Sequence, residues 1–304
     1  MQGPQFSVSS RPMTPGAMHL DREPSTAQPT AAERGYAVVA STVVFRVLRG
    51  ELCVGLPNHR TTDGLRRGVA SATPNALALD AGLEAAARLA ATSVVPAREI
   101  VRLGHAGVRT FANGSSAAMH PSAAMHIVSW AIARPLALTA GSPDIVEAEE
   151  HFVALSALPE LDPVTRGVLA CAFDAFLDIT LADALTRRLL PRHILFRKTD
   201  GFAGRSPFEQ ALGEASDANS NEGEPEVPVF VGLLPDPFPL SSLRELYERL
   251  LGAPLDRGNF RRQFHEIISH GPIKALPIFE RGVPHRAGQL FTFDRAAWAR
   301  FAAK

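Results

Sequence analysis

Before Tyr36 the chain has no sustained apolar run. Pro4, Pro12, Pro15, Pro24 and Pro29 stand among Ser, Thr and Gln, so residues 1–34 are expected to form a disordered tail with little to bury. The first regular pattern is Tyr36–Leu48, rich in β-branched residues, which predicts a strand. Arg49-Gly50-Glu51 reads as a turn, and Leu52–Leu56 as a second strand that closes a hairpin. A Gly/Arg-rich loop from Arg60 to Gly68 leads to Leu83–Ala91, an alanine-rich helix with Leu83, Ala86, Ala87 and Ala90 on one face. Ile100–Phe111 and Met125–Ala133 follow as strands. In the second of these, Ile127, Ser129 and Ala131 alternate with Val128, Trp130 and Ile132. The order strand, strand, helix, strand, strand predicts a mixed α/β/α sandwich over residues 35–160 rather than a βαβ repeat.

The spacing then changes. A strand ends at Phe152-Val153, and a short helix follows near Leu155–Leu158. Pro163 opens a longer apolar helix, Val164 to Leu177, continued by Leu181–Leu190. It carries Leu169, Ala172, Phe173, Phe176 and Leu177 at helical spacing, so residues 161–201 are expected to be a helical connector. Residues 202–228 are polar and acidic and read as a flexible insertion. In residues 229–304, Ser241 or Ser242 is expected to cap a helix Leu243–Leu251 that stops at Gly252, and Asp256 to cap a second helix. On that helix Phe260, Phe264 and Ile268 form the expected buried stripe. Strands Ile273–Phe279 and Gln289–Phe293 flank the turn Glu280–Gly288. Helix, helix, β-ribbon is the winged helix-turn-helix order, so the chain is expected to be α/β followed by α+β.

The 304 residues are 46% hydrophobic and formally neutral, with 31 Lys+Arg against 31 Asp+Glu. That suits about two ordinary domains and argues against a diffuse basic coat or an acidic solvating chain. By segment the charge is uneven. Residues 236–304 hold eleven Lys/Arg against seven Asp/Glu, a net of +4, while residues 205–228 hold one Arg against six acids, a net of −5. The two cysteines, Cys53 and Cys171, make neither a zinc cage nor a disulfide framework. They are expected to pack as small apolar residues in a reducing compartment. The charge-free stretch between Arg109 and Arg134 contains Asn113, Gly114, Ser115, Ser116, His120, Pro121 and His126, too polar to span a bilayer. The first 34 residues lack the apolar core of a signal peptide. A cytoplasmic protein with no membrane partner is expected.

The basic C-terminal unit places Arg257, Asn259, Arg261, Arg262 and His265 on the second helix of the motif. Such a helix lies in the major groove, where Arg pairs with guanine and Asn with adenine. Arg281 and Arg286, on the turn between the strands, are placed to reach backbone phosphates. The run Phe238–Arg262, with Tyr247-Glu248 before Leu251-Gly252 and then Leu255-Asp256 before Asn259-Phe260-Arg261-Arg262, resembles the C-terminal domain of the Nudix-related transcriptional regulators of NAD metabolism. Their wing ends in Gly-Arg-Pro-Ala-x-Leu-Tyr-x-Phe. Here it reads His285-Arg-Ala-Gly-Gln-Leu-Phe-Thr-Phe293, with Arg286 in the place of the family arginine.

The resemblance implies a Nudix-like fold for the N-terminal domain. A working Nudix box is Gly-x5-Glu-x7-Arg-Glu-x-x-Glu-Glu-x-Gly, whose helix carboxylates hold Mg²⁺. The corresponding helix has Ala87-Arg88 where the box has Arg-Glu, Ala91-Thr92 where it has Glu-Glu, and Val94 where it has the last Gly. Glu84 is the single carboxylate between Leu83 and Val95, and Arg88 offsets it. No metal site and no enzyme activity are therefore expected. A degenerate box in this family points to the NadQ-type branch, with NAD, ATP or an ADP-ribose-like nucleotide as effector rather than a catalytic cofactor. Arg60, Arg66, Arg67 and Arg109 are candidate phosphate partners, with Phe111 as a stacking surface and His126 as a polar contact. The family further implies a homodimer on a palindromic double-stranded operator. The expected function is a ligand-responsive repressor of NAD biosynthesis genes. The alternative is a Nudix-like pyrophosphate hydrolase whose C-terminal module binds protein or RNA.

Overall fold

The computed structural model describes residues 37–61, 64–72, 82–111, 124–135, 150–191, 226–280 and 287–302. The N-terminal sheet is built on β1 (Ala37–Leu48), a twelve-residue strand long enough to take two partners along one edge. β2 (Glu51–Gly55) returns antiparallel beside Phe45–Leu48 through a turn in which Arg49 and Gly50 both have positive φ. β3 (Asn58–Thr61) and β4 (Gly64–Arg67) form a separate hairpin. The segment expected to be a Gly/Arg-rich loop is therefore mostly strand. β5 (Ala70–Ala72) then pairs with Ala40–Thr42 of β1.

After α1 (Gly82–Ala91), β6 (Ile100–Phe111) and β7 (Ala124–Ala133) run antiparallel, and β7 lies parallel to β1. β8 (Phe152–Ala154) extends the far side of β2, giving the order β6-β7-β1-β2-β8. The mixed sheet is sandwiched between helices, as the alternating pattern predicts. Thr42 donates to the carbonyl of Ala87 on α1 at 2.9 Å. Val44, Leu48, Ala131 and Ala133 pack with Ala91 and Val94 on the same side. Val43, Phe45, Val128, Trp130 and Ile132 face the other way, toward α2 (Pro163–Ala182). On α1 the buried positions are Ala86, Ala87, Ala90 and Ala91. Leu83, expected on that face, stands in the first turn at the start of the helix and is exposed.

Asp162 caps α2, its carboxylate accepting from the backbone N–H groups of Val164 and Thr165, with Pro163 in the first turn. The Phe176 ring stacks on Phe45 at 4.4 Å and meets Trp130 edge-on at 5.5 Å. Asp183 then adopts an extended conformation and caps α3 (Ala184–Leu189), which divides the expected continuous helix in two. Cys53 is buried and Cys171 half-buried, both as free thiols. Burial raises the Cys53 thiol above its ordinary pKa.

The C-terminal unit contains α4 (Phe230–Leu233), β9 (Phe238–Pro239), α5 (Leu240–Leu251), α6 (Arg257–His270), β10 (Ile273–Phe279), β11 (Gln289–Phe293) and α7 (Arg295–Ala302). Neither Ser241 nor Ser242 caps α5. The helix starts at Leu240 directly out of β9, whose pairing with β11 fixes the entry, and both serines fall inside the first turn. The exit is as expected: Gly252 at φ 63° donates back to Arg249 and ends the helix. Residues Tyr36–Lys304 form one compact unit, and a single run of buried side chains joins the sheet, through α2 and α3, to Tyr247, Phe260, Phe264 and Trp298. Among the described residues no helix is long and apolar enough to cross a membrane. The expected tail, 1–34, and most of the acidic insertion lie outside the described residues.

Packing on the α2 side is tight at Gly104. A Cβ on Gly104 would sit 2.3 Å from the ring of its cross-strand partner Trp130, which is fully buried. Gly104→Ala is expected to cost about 1–3 kcal/mol, read by urea denaturation. A loss under about 0.5 kcal/mol, the range of neutral surface changes, would mean that the indole has room to move.

Candidate functional site

Two groups of polar residues stand out, and the first is on α6. Asp256 caps this helix, its carboxylate accepting from the Asn259 N–H at 2.7 Å. Phe260, Phe264 and Ile267 are buried; Ile268, expected in that stripe, is half-buried. Phe264 meets Phe291 of β11 edge-on at 4.8 Å, which fixes the helix on the ribbon. The opposite face is left to solvent. There Arg257, Arg261, Arg262 and His265 are exposed and Asn259 is half-buried. Arg261 Nε donates to His265 Nε2 at 3.3 Å, and the Arg262 guanidinium donates to the Asn259 side-chain oxygen. The second helix of a helix-turn-helix thus presents three guanidinium groups on one side. Arg281 and Arg286 lie outside the described residues; the strands that carry their turn, β10 and β11, are in place.

The second group lies on the α2 face of the sheet. His126 is buried, and its Nδ1 is hydrogen-bonded to the Ser41 hydroxyl at 2.9 Å. Ser41 also meets the Ser71 hydroxyl at 3.2 Å. Arg109 is the cross-strand partner of His126 and shares its face. Phe111 meets the His126 ring edge-on at 5.3 Å and is packed so closely on α2 that a Cβ on Gly167 would be 2.3 Å from it. The β3–β4 hairpin reaches the same end of α2, with Gly68 against His59 and Thr165. On that hairpin Arg66 is exposed and Arg67 half-buried, with Arg67 Nη1 buried and lacking a hydrogen-bond partner. The side chain of Arg60, on β3, is outside the described residues. Five of the six expected ligand residues, Arg66, Arg67, Arg109, Phe111 and His126, therefore lie on elements that meet one end of α2. Ser41 and Ser71 complete the cluster, but only strand pairing brings them to His126, and no local pattern marks them.

Burial pulls the imidazoles of His126 and His105 below their ordinary pKa of 6.5; His105 is bonded to Ser129 on the α1 side. The folded protein thus takes up these protons less readily than the unfolded chain. Their neutral forms support the fold above pH 6.5, and that support is lost as pH falls toward the depressed values. The urea midpoint is expected to fall between pH 7 and about pH 5.5, and to fall less in His126→Gln. Equal pH profiles for the two proteins would contradict the assignment for His126.

The α1 helix does not fit a Mg²⁺ site. Glu84 is exposed and paired with Arg88 at 2.9 Å, and among the described residues no group of three His, Cys, Asp or Glu could hold a metal.

Residues 230–293 match the NrtR DNA-binding winged helix domain family. By sequence, no curated protein matches the chain. By structure, Shewanella oneidensis NrtR complexed with a 27mer DNA is similar at TM-score 0.50 and 13% identity, with 86% of this chain and 94% of that chain covered. A second Shewanella oneidensis NrtR structure gives 0.49 at 12% identity, with 86% and 95% covered. A MutT/nudix family protein from Enterococcus faecalis gives 0.43 at 11%, with 86% and 88% covered. Residues 230–293, on the elements where α5, α6 and the ribbon lie, thus match an NrtR-type winged helix DNA-binding domain, and the chain shares the fold of the Shewanella oneidensis NrtR structure, an α/β domain followed by a winged helix.

Proposed function

We propose that the chain is a ligand-responsive transcriptional repressor of NAD biosynthesis genes, acting as a homodimer on a palindromic operator. The observation that carries this reading is the exposed Arg257, Arg261, Arg262 and His265 face of α6 inside a domain of the NrtR DNA-binding family. In this role Arg261, Arg262 and Asn259 read base edges, Arg257 and His265 flank them, and Arg281 and Arg286 hold phosphates from the wing. The Nudix-like domain binds NAD, ATP or an ADP-ribose-like nucleotide without hydrolysing it. Arg60, Arg66, Arg67 and Arg109 serve its phosphates, and Phe111 and His126 its ring or ribose. The buried, unpartnered Arg67 Nη1 supports this, because a guanidinium donor kept from water gains most from an incoming phosphate. The lone, ion-paired Glu84 on α1 supports a binding role over hydrolysis.

The test is a nuclease footprint on the DNA upstream of the chain's own gene. A dimer of winged helices protects two half-sites about 34 Å, one helical turn, apart. A single protected half-site would refute the dimer, and absence of protection would refute the operator. Mg²⁺-dependent turnover of ADP-ribose or NAD by the purified protein would refute the non-catalytic role.

A further inference from the structure

A cleft of about 450 Å³ opens where the connector meets the back of α6. Arg187 and Arg188 line it from α3, Gln263, Glu266 and His270 from α6, and Phe301 from α7. It is separate from the reading face. Positions 263, 266, 267 and 270 share one side of the helix, whereas 258, 261, 262, 265 and 269 share another. Both arginines are exposed, and no ion pair to a described residue engages either of them. Cations in the last turn of a helix have an ordinary reason to be there, since they complement the dipole. Here, however, the last turns of two different helices aim Arg187, Arg188 and His270 at one concavity. Arg188 is held over the Phe301 ring, 4.1 Å from its centroid, which limits the freedom its guanidinium would lose on binding.

We propose that this cleft is a binding site for a small phosphate-bearing anion of about mononucleotide size. The volume is that of a small-ligand site, and paired guanidiniums are the side chains best matched to phosphate. The carboxylate of Glu266 in the lining disfavours a long polyanion more than a single phosphoryl group that Arg187 and Arg188 can reach. An anion here bridges α3 to α6, so it ties the connector to the helix that carries the DNA-reading residues. The site is independent of the nucleotide site proposed on the sheet.

The test uses the full chain and AMP as the probe, with sodium sulfate at equal ionic strength as the control. Backbone and arginine side-chain NMR signals are followed in the wild type and in R187A/R188A. The expected result is saturable movement of Arg187, Arg188, Gln263 and His270 signals with AMP, half-complete below about 1 mM, and at least tenfold weaker in the variant. Signals near Phe111 and His126 report the sheet site separately. Movement that is linear in concentration and equal with sulfate would overturn the proposal. A second arm distinguishes DNA phosphate as the source. R187A/R188A is expected to leave the salt dependence of duplex binding unchanged. A slope shallower by about two phosphate contacts would overturn the proposal and make the arginines part of the DNA interface.

Discussion

Tyr247→Ala is expected to destabilise the protein by about 3–5 kcal/mol, the range for truncating a large buried aromatic. In a chain of this size the melting temperature should fall by roughly 6–20 °C. Tyr247 lies on α5 of the winged helix and is 1% exposed. Its ring packs on Phe260 of α6 at 6.3 Å, and its hydroxyl meets Thr186 of α3 at 2.7 Å. Thr186 donates to Asp183, the cap of α3, so the phenol is the donor to Thr186. Burial raises the carboxyl pKa of Asp183, against the hydrogen bonds from Thr186 and Leu185 that favour its ionised form. Burial also pushes the Tyr247 phenol well above its ordinary pKa, so it remains a donor. Tyr247→Phe keeps the ring and removes one hydrogen bond, with an expected cost of about 0.5–1.5 kcal/mol. Thermal melts of the two variants separate ring from hydroxyl. Equal losses would contradict the picture of a packed anchor with a polar tip, and a fall under about 2 °C in Tyr247→Ala would contradict the shared core altogether.

Arg262→Ala should weaken binding to the specific site by about 1–3 kcal/mol, some 5- to 150-fold, and relax the choice of base at one position. Arg262 is exposed on the face of α6 proposed to meet DNA, and its guanidinium donates to the Asn259 side-chain oxygen. Arg286→Ala, in the wing, should instead weaken all sequences alike and flatten the salt slope by about one contact. Competition binding against a set of single-base operator variants at several salt concentrations reads both effects. Identical profiles for the two variants would mean that the helix reads no sequence.

How far these elements were legible depended on how local their causes are. The winged helix could be read because its signals are local: Asp256 before α6, Gly252 after α5, and the Phe260–Phe264 spacing that faces β11. The Ser241/Ser242 cap failed because β9, only two residues long, is held as a strand by the distant β11 rather than by its own composition. The β3–β4 hairpin is hard to read because arginines, Arg60 on β3 and Arg66 and Arg67 on β4, stand where strand formers are expected. The cluster around His126 depends on Ser41, 85 positions away, and Ser71. The parallel pairing of β1 with β7 brings Ser41 to His126, and the antiparallel pairing of β5 with β1 adds Ser71; such pairing leaves no periodic mark. The docking of the two halves was hidden for the same reason. Thr186 and Tyr247 are 61 positions apart, and Arg249 reaches Glu51 on β2 across 198.

In the proposed role, a nucleotide held by the N-terminal α/β domain alters DNA binding by α6. The most direct measurement is a mobility shift of the full chain on the DNA upstream of its own gene, with NAD, ADP-ribose and ATP each titrated to saturation. At least one of them is expected to change the apparent affinity, and a hundredfold change would correspond to about 2.7 kcal/mol of coupling between the sites. An affinity that none of the three alters would contradict the claim.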